Sequence, residues 1–190
     1  TDPDSQYSIT ARTVALQKSF TNLTNPGSPR AGDTIEYRLN FQVSDFFALG
    51  DLAVSDVLSD GQEYDATFTP TISYTQQTDS ISGSFAPANV TTTVEANGKQ
   101  TVDFDVAAQL AALGLSSGTN VLGAAIPAGG TGGAEPSPTP AGPGTTGTIV
   151  FRAKVLNNFR VTPSPGAAVV QGDRLTDTAN LTSKVLPTPD

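Results

Sequence analysis

Hydrophobic and polar residues alternate in steps of two along most of this chain, the period of β-strands with one face turned inward. Residues 12–21 put Val14, Leu16, Lys18 and Phe20 on one face and Thr13, Ala15, Gln17 and Ser19 on the other. After the turn-forming Asn25-Pro26-Gly27-Ser28-Pro29, residues 33–44 alternate again, with Ile35, Tyr37, Leu39, Phe41 and Val43 inward and Glu36 and Arg38 outward. Residues 51–58 aim Leu52, Val54, Asp56 and Leu58 inward, and Ser59-Asp60-Gly61 turns the chain. Weaker strand signals cover 63–74 and 80–85. Residues 89–95 and 100–105 flank Asn97-Gly98, a pair that favours a type I′ hairpin with positive φ at both central positions. In the last strand, predicted over 173–185, Leu175, Asp177, Ala179, Leu181 and Val185 share one parity, and Thr176, Thr178, Asn180, Thr182 and Lys184 share the other.

Two segments break the alternation. Asp105 offers a cap to a run of good helix formers that ends at Gly114, which predicts one short helix. Residues 129–147 are nearly all Gly, Pro, Thr, Ser and Ala and cannot bury enough apolar surface to offset their own ordering, so a flexible insertion loop is expected there. The strands after that loop, 148–155 and 173–185, are too short to build a second core. Residues 1–190 are therefore expected to form one domain, an all-β antiparallel sandwich with one short helix and a long Gly/Pro-rich loop.

Composition narrows the chemistry. The chain has no Cys, His, Met or Trp, which removes thiol nucleophiles, His-based triads and the usual zinc, copper and haem ligand sets, so no metal or cofactor is expected. A net charge of -8 with only 10 Lys and Arg argues against nucleic acid. No apolar run approaches the roughly 20 residues of a membrane-spanning helix. With no signal-like segment at Thr1, the chain reads as a soluble, monomeric, excised piece. A cysteine-free, acidic, Thr-rich β protein fits a bacterial cell exterior.

Three strands each carry one ionisable residue in an apolar row: Lys18 in the first, Asp56 in the third and Asp177 in the last. The other lysines differ, Lys99 lying in the hairpin turn and Lys154 and Lys184 on polar faces. A lone buried ammonium costs several kcal/mol, so it must be paired, neutralised or chemically consumed. A desolvated Lys18 amine is a nucleophile. It can attack the side-chain carbonyl of Asp177 with loss of one water while Asp56 shuttles protons, giving an amide between two side chains. Asn180 is the alternative acceptor, losing ammonia, although parity puts it on the solvent face. A buried ion pair is the other outcome the same three residues allow.

The segments Ala31-Gly32-Asp33-Thr34-Ile35-Glu36-Tyr37, Val54-Ser55-Asp56-Val57-Leu58-Ser59-Asp60-Gly61 and Leu175-Thr176-Asp177-Thr178-Ala179 resemble conserved-repeat domains of large bacterial surface proteins. The chain is also similar to the immunoglobulin-like domains of collagen adhesins and pilins that form intramolecular isopeptide bonds. There a first-strand Lys joins a last-strand Asn beside a mid-chain Asp. The resemblance implies an immunoglobulin-like sandwich, a bond between Lys18 and Asp177, and a catalytic Asp56. It also implies a stalk role on the bacterial surface, with neighbouring domains of the same protein as partners. Three positions depart from the pattern: Ala31 and Ser59 stand where Pro is usual, and Asp177 stands where Asn is usual.

Two rival functions compete with the stalk role. Consecutive Phe46 and Phe47, with the Gly/Pro-rich insertion, suit a loop surface that recognises a host protein or glycan. An enzyme is not expected: Asp103 and Asp105 are the paired carboxylates on offer, and adjacent outward Asp residues are usually a solvated face.

Overall fold

The computed structural model describes residues 13–27, 30–126 and 144–186. The alternating pattern becomes β1 (Val14–Asn22), β2 (Thr34–Val43), β3 (Ala48–Leu58), β4 (Gln62–Tyr64), β5 (Thr71–Gln76) and β6 (Asp79–Ser84). A single 3-10 turn, Pro87–Asn89, leads into β7 (Val90–Val94) and β8 (Gln100–Asp105). Then come α1 (Val106–Ala112), β9 (Val121–Leu122), β10 (Thr145–Val155) and β11 (Thr178–Val185). One sheet runs β1-β2-β10-β5-β6, with β4 added to β10, and the other runs β11-β3-β8-β7, with β9 added to β3. Every pairing between these strands is antiparallel. The architecture is an immunoglobulin-like β-sandwich, and its first and last strands lie at the edges of opposite sheets.

The predicted inward set of β2, Ile35, Tyr37, Leu39, Phe41 and Val43, is buried at every position. In β3 so are Leu52, Val54, Asp56 and Leu58. Aromatic rings link the two layers: Tyr37 stacks on Phe151 at 5.2 Å, Phe151 meets Phe104 at 5.4 Å, and Phe104 meets Phe85 at 5.3 Å. The helix begins where expected, because the Asp105 carboxylate accepts the Ala108 N–H at 2.9 Å and so satisfies one of the free donors of the first turn. Asp105 is thus a cap.

Several expectations need correction. The predicted loop 129–147 ends too late: Thr145, Thr146 and Gly147 belong to β10, pairing with Val43, Gln42 and Phe41. Composition misled there because Gly147 is required by packing, since a Cβ at that position would run into the Phe41 ring. Residues 129–143 of that loop lie outside the described residues, as does Arg12. Residues 63–74 form two strands, because Asp65 turns the chain by accepting both the N–H and the hydroxyl of Thr67, at 3.1 and 2.6 Å. The β7–β8 hairpin closes with positive φ at Gly98 but not at Asn97, and the Gly98 N–H donates to Glu95 O at 3.0 Å. This differs from type I′, and Gly98 alone supplies the left-handed residue.

The two edge strands also deviate. Phe20, aimed inward by parity, is 64% exposed because the sandwich is open at its flank there. In β11 pairing starts only at Thr178, and the register shifts between Thr182 and Lys184. That bulge turns Val185 outward, and Leu186 packs on Ala48, Leu122 and Ile126 instead.

Candidate functional site

Lys18, Asp56 and Asp177 meet at the flank where β1 and the start of β11 face each other across the two sheets. Lys18 is on edge strand β1, opposite Leu39 of β2. Asp56 is on β3, which pairs with β11 through Ala179, two residues beyond Asp177. Lys18 Nζ lies 2.7 Å from both Asp56 oxygens, with hydrogen-bond geometry toward Oδ1. It lies 3.6 Å from Asp177 Oδ2. The Tyr37 ring forms the floor, its centroid 4.2 Å from Nζ, an arrangement that favours a cation while the amine is charged.

Little solvent reaches this cluster. The side chains of Lys18, Asp56 and Asp177 are 17, 0 and 9% exposed. Burial raises the Asp56 carboxyl, the Lys18 charge and hydrogen bond pull it back, and the Asp177 charge adds to the rise; it ends at about 6. A carboxyl poised near neutrality both takes and returns a proton, which is what a shuttle requires. Asp56 Oδ2 accepts no well-aligned hydrogen bond among the described residues, so the carboxyl retains a lone pair beside Nζ.

Asp177 is gripped from the other side. The Ser59 N–H donates to Oδ1 at 2.8 Å and the Tyr37 hydroxyl donates to Oδ2 at 2.5 Å. Gln62 Nε2 donates to the Tyr37 oxygen at 2.5 Å, which leaves the single Tyr37 proton for Asp177 Oδ2; with its amide turned end for end, Gln62 would instead donate to Asp177 Oδ1 at 2.6 Å and compete with Oδ2 for that proton. A cleft of about 320 Å³ opens over Asp177 and Tyr37 between Phe20, Val169, Val170 and Leu175. Asn180, the alternative acceptor, is exposed and pairs with Ser55. A bulge before it would have turned it inward, but the one in β11 falls beyond it, at Thr182.

Sequence reasoning missed Tyr37 and Gln62 as members of this cluster, because a Tyr in an apolar row and a Gln after a turn look like core and surface. It also missed Asp60. Asp60 accepts backbone N–H groups from Arg160, Val161 and Thr162 at 2.6, 2.6 and 2.7 Å, anchoring the connection between β10 and Asp177. Burial would raise this carboxyl, but the N–H groups of Thr162, Arg160 and Val161 hold it below its ordinary value. Asp60→Ala strands three donors and is expected to cost on the order of 3 kcal/mol, measured by denaturant unfolding. Since the folded value is the lower one, this contribution is present above the ordinary carboxylate range. It is lost as pH falls through the folded value, so wild type and variant should converge in acid.

The remaining candidates lie outside this cluster. Lys154 pairs outward with Asp65 at 3.2 Å, and Lys99 and Lys184 are exposed. Phe46 is 56% exposed whereas Phe47 packs against the core. Among the described residues no acidic group large enough to hold a metal ion occurs, and no helix is long and apolar enough to cross a membrane.

No family model matches the sequence, and no curated protein sequence matches it. Among solved structures, the chain is similar to the full-length RrgB pilus protein of Streptococcus pneumoniae, with a TM-score of 0.44 and 14% identity over 94% of this chain and 24% of that one. It is similar to the collagen-binding domain of surface protein RspB from Erysipelothrix rhusiopathiae, with a TM-score of 0.41 and 15% identity over 92% of this chain and 42% of that one. It is also similar to the collagen-binding domain of a Staphylococcus aureus adhesin, with a TM-score of 0.38 and 13% identity over 93% of this chain and 100% of that one. The chain thus spans about a quarter of the pilus protein's length and about two fifths of the RspB structure.

Proposed function

We propose that this chain is a structural stalk module of a bacterial surface adhesin, one domain of a longer extracellular protein, locked by an amide between Lys18 Nζ and Asp177 Cγ. The observation that carries the reading is the position of Nζ, 2.7 Å from Asp56 and 3.6 Å from Asp177 in a nearly dry flank between the two edge strands. An ion pair alone explains two charges, not three ionisable groups converging with only one cation among them. Asp56 is the proton carrier and Asp177 the acceptor. The exposure of Asn180 argues against it as the acceptor.

The atoms balance as a condensation. One proton passes from the Lys18 ammonium to the Asp177 carboxyl by way of Asp56, leaving a neutral amine and a neutral acid. Nζ adds to Cγ, Asp56 takes a proton from the nitrogen and returns it to the departing oxygen, and one water leaves. Asp56 ends as it began. Desolvation favours the neutral reactants over the charged pair, and the enclosure holds amine and carbonyl in one geometry.

Intact mass under denaturing conditions tests this directly. Wild type is expected to be one water lighter than its sequence, and Lys18→Ala and Asp56→Ala are expected at full mass. A deficit of one ammonia would move the acceptor to Asn180, and a full-mass wild type would leave an ion pair. A second reading, loop recognition of a host protein or glycan, is favoured by the exposed Phe46. Its test is retention of the protein on immobilised matrix proteins or glycans, lost in Phe46→Ser.

A further inference from the structure

The Asp177 carboxyl is held by donors that a simple ion pair with Lys18 does not call for. Ser59, 7% exposed, points its backbone N–H at Oδ1, and Tyr37, 3% exposed, points its hydroxyl at Oδ2. Neither is free to swing away. The Tyr37 ring is fixed by its stack on Phe151 and by Gln62 against its oxygen. Ser59 follows directly on β3, so its N–H direction is set by the strand that also carries Asp56. Nζ lies on the Oδ2 side of the carboxyl, beside the oxygen that Tyr37 holds.

We propose that in the condensation of Lys18 with Asp177 the Ser59 N–H serves the oxyanion and the Tyr37 hydroxyl serves the departing oxygen, and that Tyr37 is a second catalytic residue beside Asp56. This rests on the amide reading above. When Nζ adds to Cγ, the carbonyl electron pair moves onto Oδ1, where the Ser59 N–H already sits at 2.8 Å. Oδ2 is the oxygen expelled. It leaves as water, carrying its own proton and the one Asp56 took from Nζ, while the Tyr37 hydrogen bond steadies the charge it gains as the bond to Cγ breaks. Donors fixed in a dry site act on that charge without reorganising. Burial, followed by the nearby Asp177 charge, pushes the Tyr37 hydroxyl far above its ordinary value, so it stays protonated and serves as a donor throughout.

Both donors can be removed. Tyr37→Phe keeps the ring and its stack and deletes only the hydroxyl. Ser59→Pro deletes the N–H, since proline has none. The test is the rate of bond formation: chains released from cell-free synthesis are quenched in denaturant at intervals and weighed. Wild type is expected to lose one water, and Tyr37→Phe to reach the same one-water deficit from its own sequence mass about 100-fold more slowly, the usual cost of one such donor. Ser59→Pro is expected to slow the reaction by a similar factor. Protease resistance of Lys18→Ala/Tyr37→Phe against Lys18→Ala separates slow chemistry from lost folding. If the hydroxyl deletion unfolds that double variant, Gln62→Ala, which loosens the Tyr37 oxygen, takes its place. A variant that forms the bond at the wild-type rate overturns this proposal and leaves the amide standing, whereas a wild type that never loses water overturns the amide itself.

Discussion

Lys18→Ala is expected to lower the melting temperature by about 10 to 20 °C. A link between residues 18 and 177 closes a loop over most of the chain, and in the chain-entropy model such a closure is worth about 5 kcal/mol. Each kcal/mol moves the midpoint of a domain this size by roughly 2 to 4 °C. Loss of a buried ion pair could cost a similar amount, because Asp56 would be left fully buried without its cation. The size of the denatured chain separates the two. A covalent link survives denaturant and keeps the unfolded wild type compact, so it should run faster than Lys18→Ala in a denaturing gel and have the smaller hydrodynamic radius. Equal denatured sizes would reduce the cluster to an ion pair.

The larger effect is mechanical. With the proposed amide in place, force entering near one terminus and leaving near the other passes from β1 through the amide to the residue just before β11. The strands between then carry no load. Pulled between its termini, wild type is expected to show no unfolding step at forces that rupture ordinary sandwiches, and Asp56→Ala is expected to release on the order of 500 Å of chain, the extended length between the linked residues. A wild-type trace with the full extension would mean that the strands, and not a bond, resist the pull.

Where the alternation was regular, sequence and structure agree closely. β2 and β3 are buried on the predicted parity throughout, since the second sheet covers one face of each along its length. Parity therefore isolated Lys18, Asp56 and Asp177 without any knowledge of which strands were neighbours. It failed where the fold departs from an ideal pleat. Phe20 sits at an open flank, the β11 bulge reversed Val185, and Gly147 looked like loop because the ring it accommodates is distant in sequence.

Tyr37, Gln62 and Asp60 were illegible for a different reason. Their roles depend on polar partners that come from other strands and loops, and no local pattern encodes a partner over 100 residues away. Two of the three departures from the surface-protein pattern do meet in space. Ser59 offers Asp177 a backbone N–H that a proline there would lack, so the unusual residue at one position hydrogen-bonds the unusual residue at the other.

The placement of Lys18 on the first strand and Asp177 just ahead of the last bears on digestion outside the cell. Once the two are joined, a protease that cuts any loop between them leaves both pieces in one covalent molecule. Between the cuts, the paired strands can hold their places in the sheets. A surface stalk built from such modules could be nicked repeatedly and still not shed what it carries at its tip.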